Sequence, residues 1–202
     1  MNPISKKEGQ PDLTVAIMAG GMSSRMGTDK SFVPLHGRPM IEHVLAKVND
    51  LGTETIIIAN QRERYLYLGL PIFSDIYTNH GPLGGLHTAL NYATNPYILV
   101  VACDMPWLNR ALLNYLISLR TQFEVVVPRW GQFPEPMHAL YAQTCKEHVE
   151  RNLEAGLLKL VSFYGQVKVR FVNRDEIAQF DPDGLSFANV NTPDDLASVK
   201  KK

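Results

Sequence analysis

The sequence contains only two cysteines, Cys103 and Cys145, which form neither a CxxC pair nor a cluster with histidine. Disulfide-stapled domains and structural zinc sites need more cysteines or closer spacing, so we expect neither feature here. We interpret both thiols as small buried residues of a protein in a reducing compartment.

The sequence also lacks net charge, because 20 Lys and Arg residues balance 20 Asp and Glu residues. A balanced chain has no broad basic field, so we expect neither nucleic acid nor a membrane as a partner. Long hydrophobic runs are missing as well: the longest, residues 98–103, is far shorter than the roughly 20 residues that span a bilayer. Lys6 and Lys7 precede a polar stretch, so we expect no signal peptide and a cytoplasmic location.

The chain has 202 residues, of which 45% are hydrophobic, enough for one full core. We expect a single domain over 1–202, with flexible ends at 1–12 and 200–202. Short apolar runs predict strands at 13–19, 54–60, 71–74, 97–103, 124–128, 137–141 and 167–172. Helical spacing of apolar residues predicts helices from Pro39, from Gly81, over 110–120, within 146–164 (one or two) and over 193–200. This alternation is typical of an α/β fold in which helices cover both faces of a mostly parallel sheet.

Ligands of open parallel sheets bind beyond the carboxyl ends of the strands. The most informative segment there is AGGMSSRMGTDK, residues 19–30, which follows the first strand. Its glycines let the backbone approach an anion, while Arg25 and Lys30 can bind phosphate oxygens. The spacing matches neither the P-loop nor the G-x-G-x-x-G pattern. An ordinary flexible loop is the alternative, but the two cations favour a phosphate site.

Other polar residues at strand ends are more ambiguous. Asp104 directly follows an apolar strand and could bind Mg²⁺ or cap a helix, and Asp75 has the same ambiguity. Three glycines within residues 81–85 allow either close approach to a ligand or a tight turn. Asn189 and Asn191 could contact a ligand or form a turn before a capped helix. His138, within a strand-like run, is more often a structural residue than a catalyst.

Five segments together resemble the nucleotidyltransferases that act on the molybdenum cofactor, and within that family the guanylyltransferases. They are residues 18–30, 81–86 (GPLGGL), 103–106 (CDMP), 136–141 (PMHALY) and 189–193 (NVNTP). The resemblance covers nearly the whole chain. It implies a Rossmann-like nucleotidyltransferase domain with three α/β/α layers, which uses GTP and Mg²⁺ to couple GMP to molybdopterin.

The resemblance also implies roles for individual residues. The GTP site would include Met18, Ala19, Gly20, Gly21, Lys30, Asn60, Asp75 and Asp104. Asp104 would bind Mg²⁺, and Arg25, Lys30 and Asp104 would be the catalytic groups. The molybdopterin side would include Gly84, Gly85, His138, Asn189 and Asn191. Two positions depart from the family pattern, which often has Leu in place of Met18 and, in some members, Asn in place of Ile58.

Guanine preference rests on Gly20 and Gly21, because cytidylyltransferase relatives typically carry Ala-Ala-Gly where this chain has Ala19-Gly20-Gly21. A smaller residue there would leave room for a purine. CTP-dependent transfer to molybdopterin, a sugar-phosphate nucleotidyltransferase and a nucleotide-binding regulator are the alternatives. Because molybdopterin is oxygen-sensitive, direct transfer from a molybdenum-inserting protein and on to an apo-molybdoenzyme is also expected.

Overall fold

The computed structural model describes residues 10–19 and 30–190 of the chain. Nine strands lie within these ranges: β1 (Thr14–Met18), β2 (Pro34–Leu35), β3 (Arg38–Pro39), β4 (Glu54–Ile58), β5 (Ile72–Phe73), β6 (Tyr97–Ala102), β7 (Val125–Arg129), β8 (His138–Ala142) and β9 (Val169–Asn173). The five α-helices are α1 (Met40–Val48), α2 (Gly81–Tyr92), α3 (Arg110–Ser118), α4 (Lys146–Glu154) and α5 (Arg174–Ile177).

Seven strands form one sheet in the order β5-β4-β1-β6-β8-β7-β9. Only β8 is antiparallel to its neighbours, β6 and β7, so the predicted mostly parallel sheet is confirmed. β1 lies at the centre of the parallel part, where Met18 is in register with Ile58 on β4 and with Ala102 on β6. The carboxyl ends of these three strands therefore lie side by side.

Alternate residues of the central strand face opposite helical layers. Val15 and Ile17 belong to the core that includes α1 and α3, whereas Ala16 and Met18 belong to the core that includes α2 and α4. Strands buried on both faces have continuously apolar sequences, as this chain has. The molecule is thus the expected three-layer α/β/α arrangement.

Helix α3 begins at a capping residue that also connects it to a distant segment. The side-chain oxygen of Asn109 accepts a hydrogen bond from the Leu112 N–H at 3.1 Å, which satisfies one free donor of the first turn. The Asn109 amide nitrogen donates to the Phe180 carbonyl at 2.8 Å. One side chain therefore both starts α3 and holds the chain near residue 180.

All seven predicted strands of the main sheet are confirmed, with shifts of a few residues at their ends. The predicted helical region 146–164 is helical only over Lys146–Glu154, because Gly156 with φ of 72° turns the chain after that helix. The short β2–β3 pair and α5 carry too few residues for a detectable period. The helix predicted over 193–200 lies outside the described residues. No helix within 10–19 and 30–190 has the length and apolar character needed to cross a bilayer.

Candidate active site

The carboxyl ends of β1, β4 and β6 hold the first residues of three loops in fixed positions. The Ala19 N–H donates to the Ile58 carbonyl at 2.9 Å, and the Cys103 N–H donates to the Met18 carbonyl at 3.1 Å. Both bonds continue the parallel ladder one residue beyond the strands. The start of the glycine loop and the Cys103-Asp104 segment are consequently neighbours.

Lys30 and Asp104 meet at this edge of the sheet. Lys30 Nζ lies 3.8 Å from Asp104 Oδ2, and their side chains are 31% and 20% exposed. Partial burial raises the pKa of the Asp104 carboxyl above its usual value, and the Lys30 ammonium opposes that rise. A partly exposed ion pair contributes little to stability. Its significance is that the cation and the acid predicted for the site lie together although 74 residues separate them in the sequence.

Asp104 is also the residue whose chemistry suits a metal ion. Within 10–19 and 30–190, no three His, Cys, Asp or Glu side chains come together into a cluster that could hold one. Mg²⁺ in nucleotide enzymes is typically held by one or two carboxylates together with substrate phosphates, rather than by a protein cage. A single carboxylate beside a lysine that is predicted to bind phosphate fits that kind of site.

Asn60 and Asp75 form a second polar group at the same edge, after β4 and β5. The Asn60 amide nitrogen donates to Asp75 Oδ2, and the Asp75 N–H donates to Asn60 Oδ1, both at 2.9 Å. Burial raises the pKa of the Asp75 carboxyl, and the hydrogen bond from Asn60 opposes the rise. This reciprocal pairing holds both side chains in one arrangement.

Helix α2 packs tightly against this group through two glycines. A Cβ atom on Gly85 would lie 2.3 Å from Met18 Cε, 3.5 Å from Asp75 Oδ1 and 3.9 Å from Ile58 Cγ2. On Gly84 it would lie 2.7 Å from the Tyr77 carbonyl oxygen. Close packing of the helix therefore accounts for both glycines. The structure places Gly85 beside Met18 and Asp75, residues predicted for the nucleotide, and its assignment to the molybdopterin side stays a prediction.

Ile58, one of the two predicted departures from the family pattern, is a buried apolar residue. It is 2% exposed and lies next to Gly85. A polar side chain there would need a partner, because burying an unpaired amide is costly.

The residue between the two C-terminal asparagines is attached directly to Asp104. The Val190 N–H donates to the Asp104 carbonyl at 3.0 Å, which places the main chain of Val190, next to the exposed Asn189, beside that of Asp104. Asn191, Gly20, Gly21 and Arg25 lie outside the described residues. Their predicted roles stay predictions.

Two buried polar residues that the sequence analysis missed hold this segment in place. Asp181 is 6% exposed and accepts hydrogen bonds from the N–H groups of Leu185 (3.1 Å) and Ser186 (2.8 Å). Ser186 Oγ in turn accepts from the Asn109 N–H at 3.0 Å. In the sequence, these residues appear only as an acid followed by Gly and Ser. That pattern is common in ordinary turns, so it does not indicate a buried, structurally important pair.

His138 opens β8 opposite Val101 and is fully buried, with its ring 5.1 Å from that of Phe187. Neither of its ring nitrogens has a hydrogen-bond partner in the part of the chain that the structure describes. Burial lowers its pKa to about 4, against a smaller opposing effect of Asp181. His138 is thus neutral at pH 7, and its predicted role toward the pterin stays a prediction.

Comparisons with known proteins indicate the family of this chain. Residues 15–169 match the MobA-like NTP transferase domain. A Clostridium perfringens protein named probable molybdenum cofactor guanylyltransferase is 35% identical over 192 residues, which are 94% of this chain and 96% of that protein. A Desulfosudis oleivorans protein named molybdenum cofactor guanylyltransferase is 34% identical over 190 residues, covering 93% and 94% of the two chains.

Comparison with solved structures finds a similar protein. The crystal structure of molybdopterin-guanine dinucleotide biosynthesis protein A from Archaeoglobus fulgidus superposes with a TM-score of 0.80 at 27% identity. The match covers 93% of this chain and 97% of that one. Sequence and structure comparisons therefore indicate the same relatives over nearly the full length.

The two glycines of α2 should respond differently to the same substitution. Alanine is favoured over glycine in a helix by about 1 kcal/mol, whereas overpacking costs about 1–3 kcal/mol. Gly84→Ala would press on a backbone carbonyl that cannot yield, so we expect a net loss of unfolding free energy. Gly85→Ala would press on the mobile end of Met18, so we expect a stability close to that of wild type. Urea unfolding of both variants tests this, and equal losses would contradict it.

Buried His138 should make stability depend on pH. Its pKa is about 4 in the folded protein against 6.5 in an unfolded chain, so only the unfolded state takes up a proton as the pH falls below 6.5. Between about pH 7.5 and about pH 5, this should cost about 2 kcal/mol of unfolding free energy. In His138→Leu, the decline over the same range should be smaller by that amount. Denaturant unfolding of both proteins at both pH values measures it, and equal declines would show that His138 does not contribute.

Proposed function

The chain belongs to the MobA-like NTP transferase family and is a nucleotidyltransferase, and we propose that it transfers GMP from GTP to molybdopterin with release of pyrophosphate. The observation that carries the proposal is the Lys30–Asp104 pair at the carboxyl ends of β1 and β6. A phosphate-binding cation and a candidate metal ligand meet where the glycine loop leaves the sheet. The printed names of the relatives support the choice of GTP and molybdopterin as substrates.

The proposed site must offset the negative charge of a bound triphosphate. A triphosphate carries about four negative charges, and one charge pair at 4 Å is worth roughly 4 kcal/mol at an effective dielectric constant of 20. Lys30, even with Arg25, does not neutralise that load. Mg²⁺ held by Asp104 would supply the missing positive charge and stabilise charge that develops on the phosphates.

The proposed reaction needs positioning rather than a general base. A phosphate oxygen of molybdopterin attacks the α-phosphorus of GTP; the new P–O bond forms as the bond to the leaving pyrophosphate breaks. The attacking oxygen is already ionised at neutral pH, so the buried, neutral His138 is not required to accept a proton. Lys30 would bind the phosphates, Asn60 and Asp75 would contact the ribose and base, and Asn189 would face the acceptor.

Three finer parts of the proposal rest on the sequence and on the relatives. Gly20 and Gly21, to which we assign the selection of guanine, lie outside the described residues. Hand-over of the cofactor between this chain and molybdenum-inserting or acceptor proteins follows from the sensitivity of molybdopterin to oxygen. The cytoplasmic location remains a prediction.

Removing the candidate metal ligand should strongly reduce the rate of transfer without unfolding the protein. We expect Asp104→Asn, which keeps the shape of the side chain, to lower turnover by about 100-fold or more, the scale of losing one preorganised electrostatic group. We expect a similar loss of turnover in Asp104→Ala. Glu154→Gln, which removes an exposed charge at the end of α4, is the matched control and should retain full turnover. Near-normal turnover in either Asp104 variant would overturn the assignment.

Lys30→Ala should weaken both GTP binding and turnover, because the lysine would contact the phosphates in the ground state as well as in the transition state. Isothermal titration gives the affinity, and pyrophosphate release gives the turnover. If both values match those of wild type, Lys30 is not part of the site.

The nucleotide and acceptor are tested together by pyrophosphate release with Mg²⁺ and molybdopterin across GTP, CTP, UTP and ATP. We expect release with GTP only, and only when molybdopterin is present. Release with CTP would keep the chemistry but contradict the guanine assignment. If folded protein that still binds nucleotide releases no pyrophosphate with any of the four nucleotides, molybdopterin is not the acceptor.

A further inference from the structure

Tyr65 connects the two ends of the glycine loop. It lies on the 3₁₀ helix Arg62–Leu68, which follows β4, and its side chain is fully buried. Its hydroxyl is 2.8 Å from the carbonyl oxygen of Ala19, where the loop begins, and 3.0 Å from Oγ of Ser31, directly after the loop ends. A single hydroxyl thus contacts both ends of a segment whose middle carries Arg25.

The hydrogen bonds continue from Ser31 to the other half of the site. Ser31 Oγ is 3.1 Å from Cys103 Sγ, and Ser31 is itself fully buried. A carbonyl oxygen only accepts, so the Tyr65 proton is donated to Ala19, while the Ser31 hydroxyl can donate to the Tyr65 oxygen or to Cys103 Sγ. Buried polar groups linked in this way restrict one another's orientation.

The three residues that Tyr65 links in this way each adjoin a residue of the proposed active site. Ala19 follows Met18, Ser31 follows Lys30, and Cys103 precedes Asp104. Moving any one of the three would therefore move a neighbour that acts on the nucleotide. The bond from Tyr65 fixes the carbonyl group of Ala19, the last described residue before the loop.

Ring contacts place the Tyr65 helix firmly on the loop end. The centres of the Tyr65 and Phe32 rings are 5.0 Å apart. The Arg64 guanidinium also contacts Phe32, at 4.1 Å from the centre of its ring. We expect the aromatic contact to be kept when phenylalanine replaces Tyr65, because the ring remains. Packing and hydrogen bonding by the same side chain can therefore be separated by experiment.

We propose that the Tyr65 hydroxyl is a positioning group for nucleotidyl transfer, holding Ala19 and Ser31 so that Lys30 and Asp104 keep their relative placement. This inference rests on the proposed function. Tyr65 touches neither substrate nor metal in this scheme, and it acts through Lys30 and Asp104. Small displacements of positioned groups reduce turnover more than they reduce ground-state binding.

Tyr65→Phe tests the proposal in the full-length protein. We expect kcat for GTP-dependent pyrophosphate release to fall about 10- to 100-fold, the scale for misplaced catalytic groups, while the Kd for GTP stays within about threefold. Tyr67→Phe is the matched control, because Tyr67 lies on the same 3₁₀ helix with 56% of its surface exposed, and it should leave kcat unchanged. An unchanged kcat in Tyr65→Phe would overturn the proposal.

A double-mutant cycle separates positioning from general destabilisation. If Tyr65 acts through Lys30, then Tyr65→Phe should lower the residual kcat of Lys30→Gln much less than it lowers that of wild type. Equal fold-losses in both backgrounds would mean independent effects and would overturn the proposal.

Alkylation of Cys103 by iodoacetamide, followed by mass spectrometry, reports on the same hydrogen bonds without any activity. Tyr65→Phe should speed the modification of Cys103 severalfold and leave the fully buried Cys145 as slow as in wild type. An unchanged Cys103 rate, or an equal rise at Cys145, would overturn the proposal. If wild type releases no pyrophosphate with any nucleotide, the proposed function fails, while alkylation still decides whether Tyr65 holds the loop ends.

Discussion

The site depends on backbone hydrogen bonds that extend the parallel ladder one residue past its strands. The Ala19 N–H bonds to the Ile58 carbonyl, the Cys103 N–H to the Met18 carbonyl, and the Ala59 N–H to the Phe73 carbonyl, all within 2.9–3.1 Å. Because neighbouring parallel strands end together, three loops leave the sheet at adjacent points. The ladder brings the main chain of these loops to one edge of the sheet. Contacts such as the Lys30–Asp104 pair and the Tyr65 hydrogen bonds then hold side chains in place there.

Partial burial gives these side chains their electrostatic character. Burial raises the pKa of both Asp75 and Asp104, and each acid has one partner that opposes the rise: Asn60 for the first, Lys30 for the second. A neutral amide leaves the charge of Asp75 in place, whereas Lys30 balances that of Asp104. In the proposed function, Asp75 would accept hydrogen bonds from a base or ribose, and Asp104 would bind a cation that arrives with phosphates.

Much of this arrangement could be predicted from the sequence. The apolar runs located the strands because strands buried on both faces are continuously hydrophobic, and the rule that ligands bind at carboxyl ends brought Lys30, Asn60 and Asp104 together. Tyr65 and Asp181 escaped prediction because their partners are backbone carbonyls and amides that are distant in sequence or typical of any turn. The packing role of Gly84 and Gly85 escaped for a similar reason, since composition does not reveal which neighbour lies against a missing side chain.

Asp104 is the point at which two separately supported halves of the site meet. On the proposed nucleotide side, its carboxylate pairs with Lys30, which the sheet ladder and the loop ends hold in place. On the proposed acceptor side, its backbone carbonyl accepts from Val190, in a segment that Asp181 holds through two amide hydrogen bonds. The side chain and the main chain of one residue thus serve different halves. Replacing the side chain leaves the bond to Val190 available, so the two proposed halves of the site can be perturbed independently even though they meet at one residue.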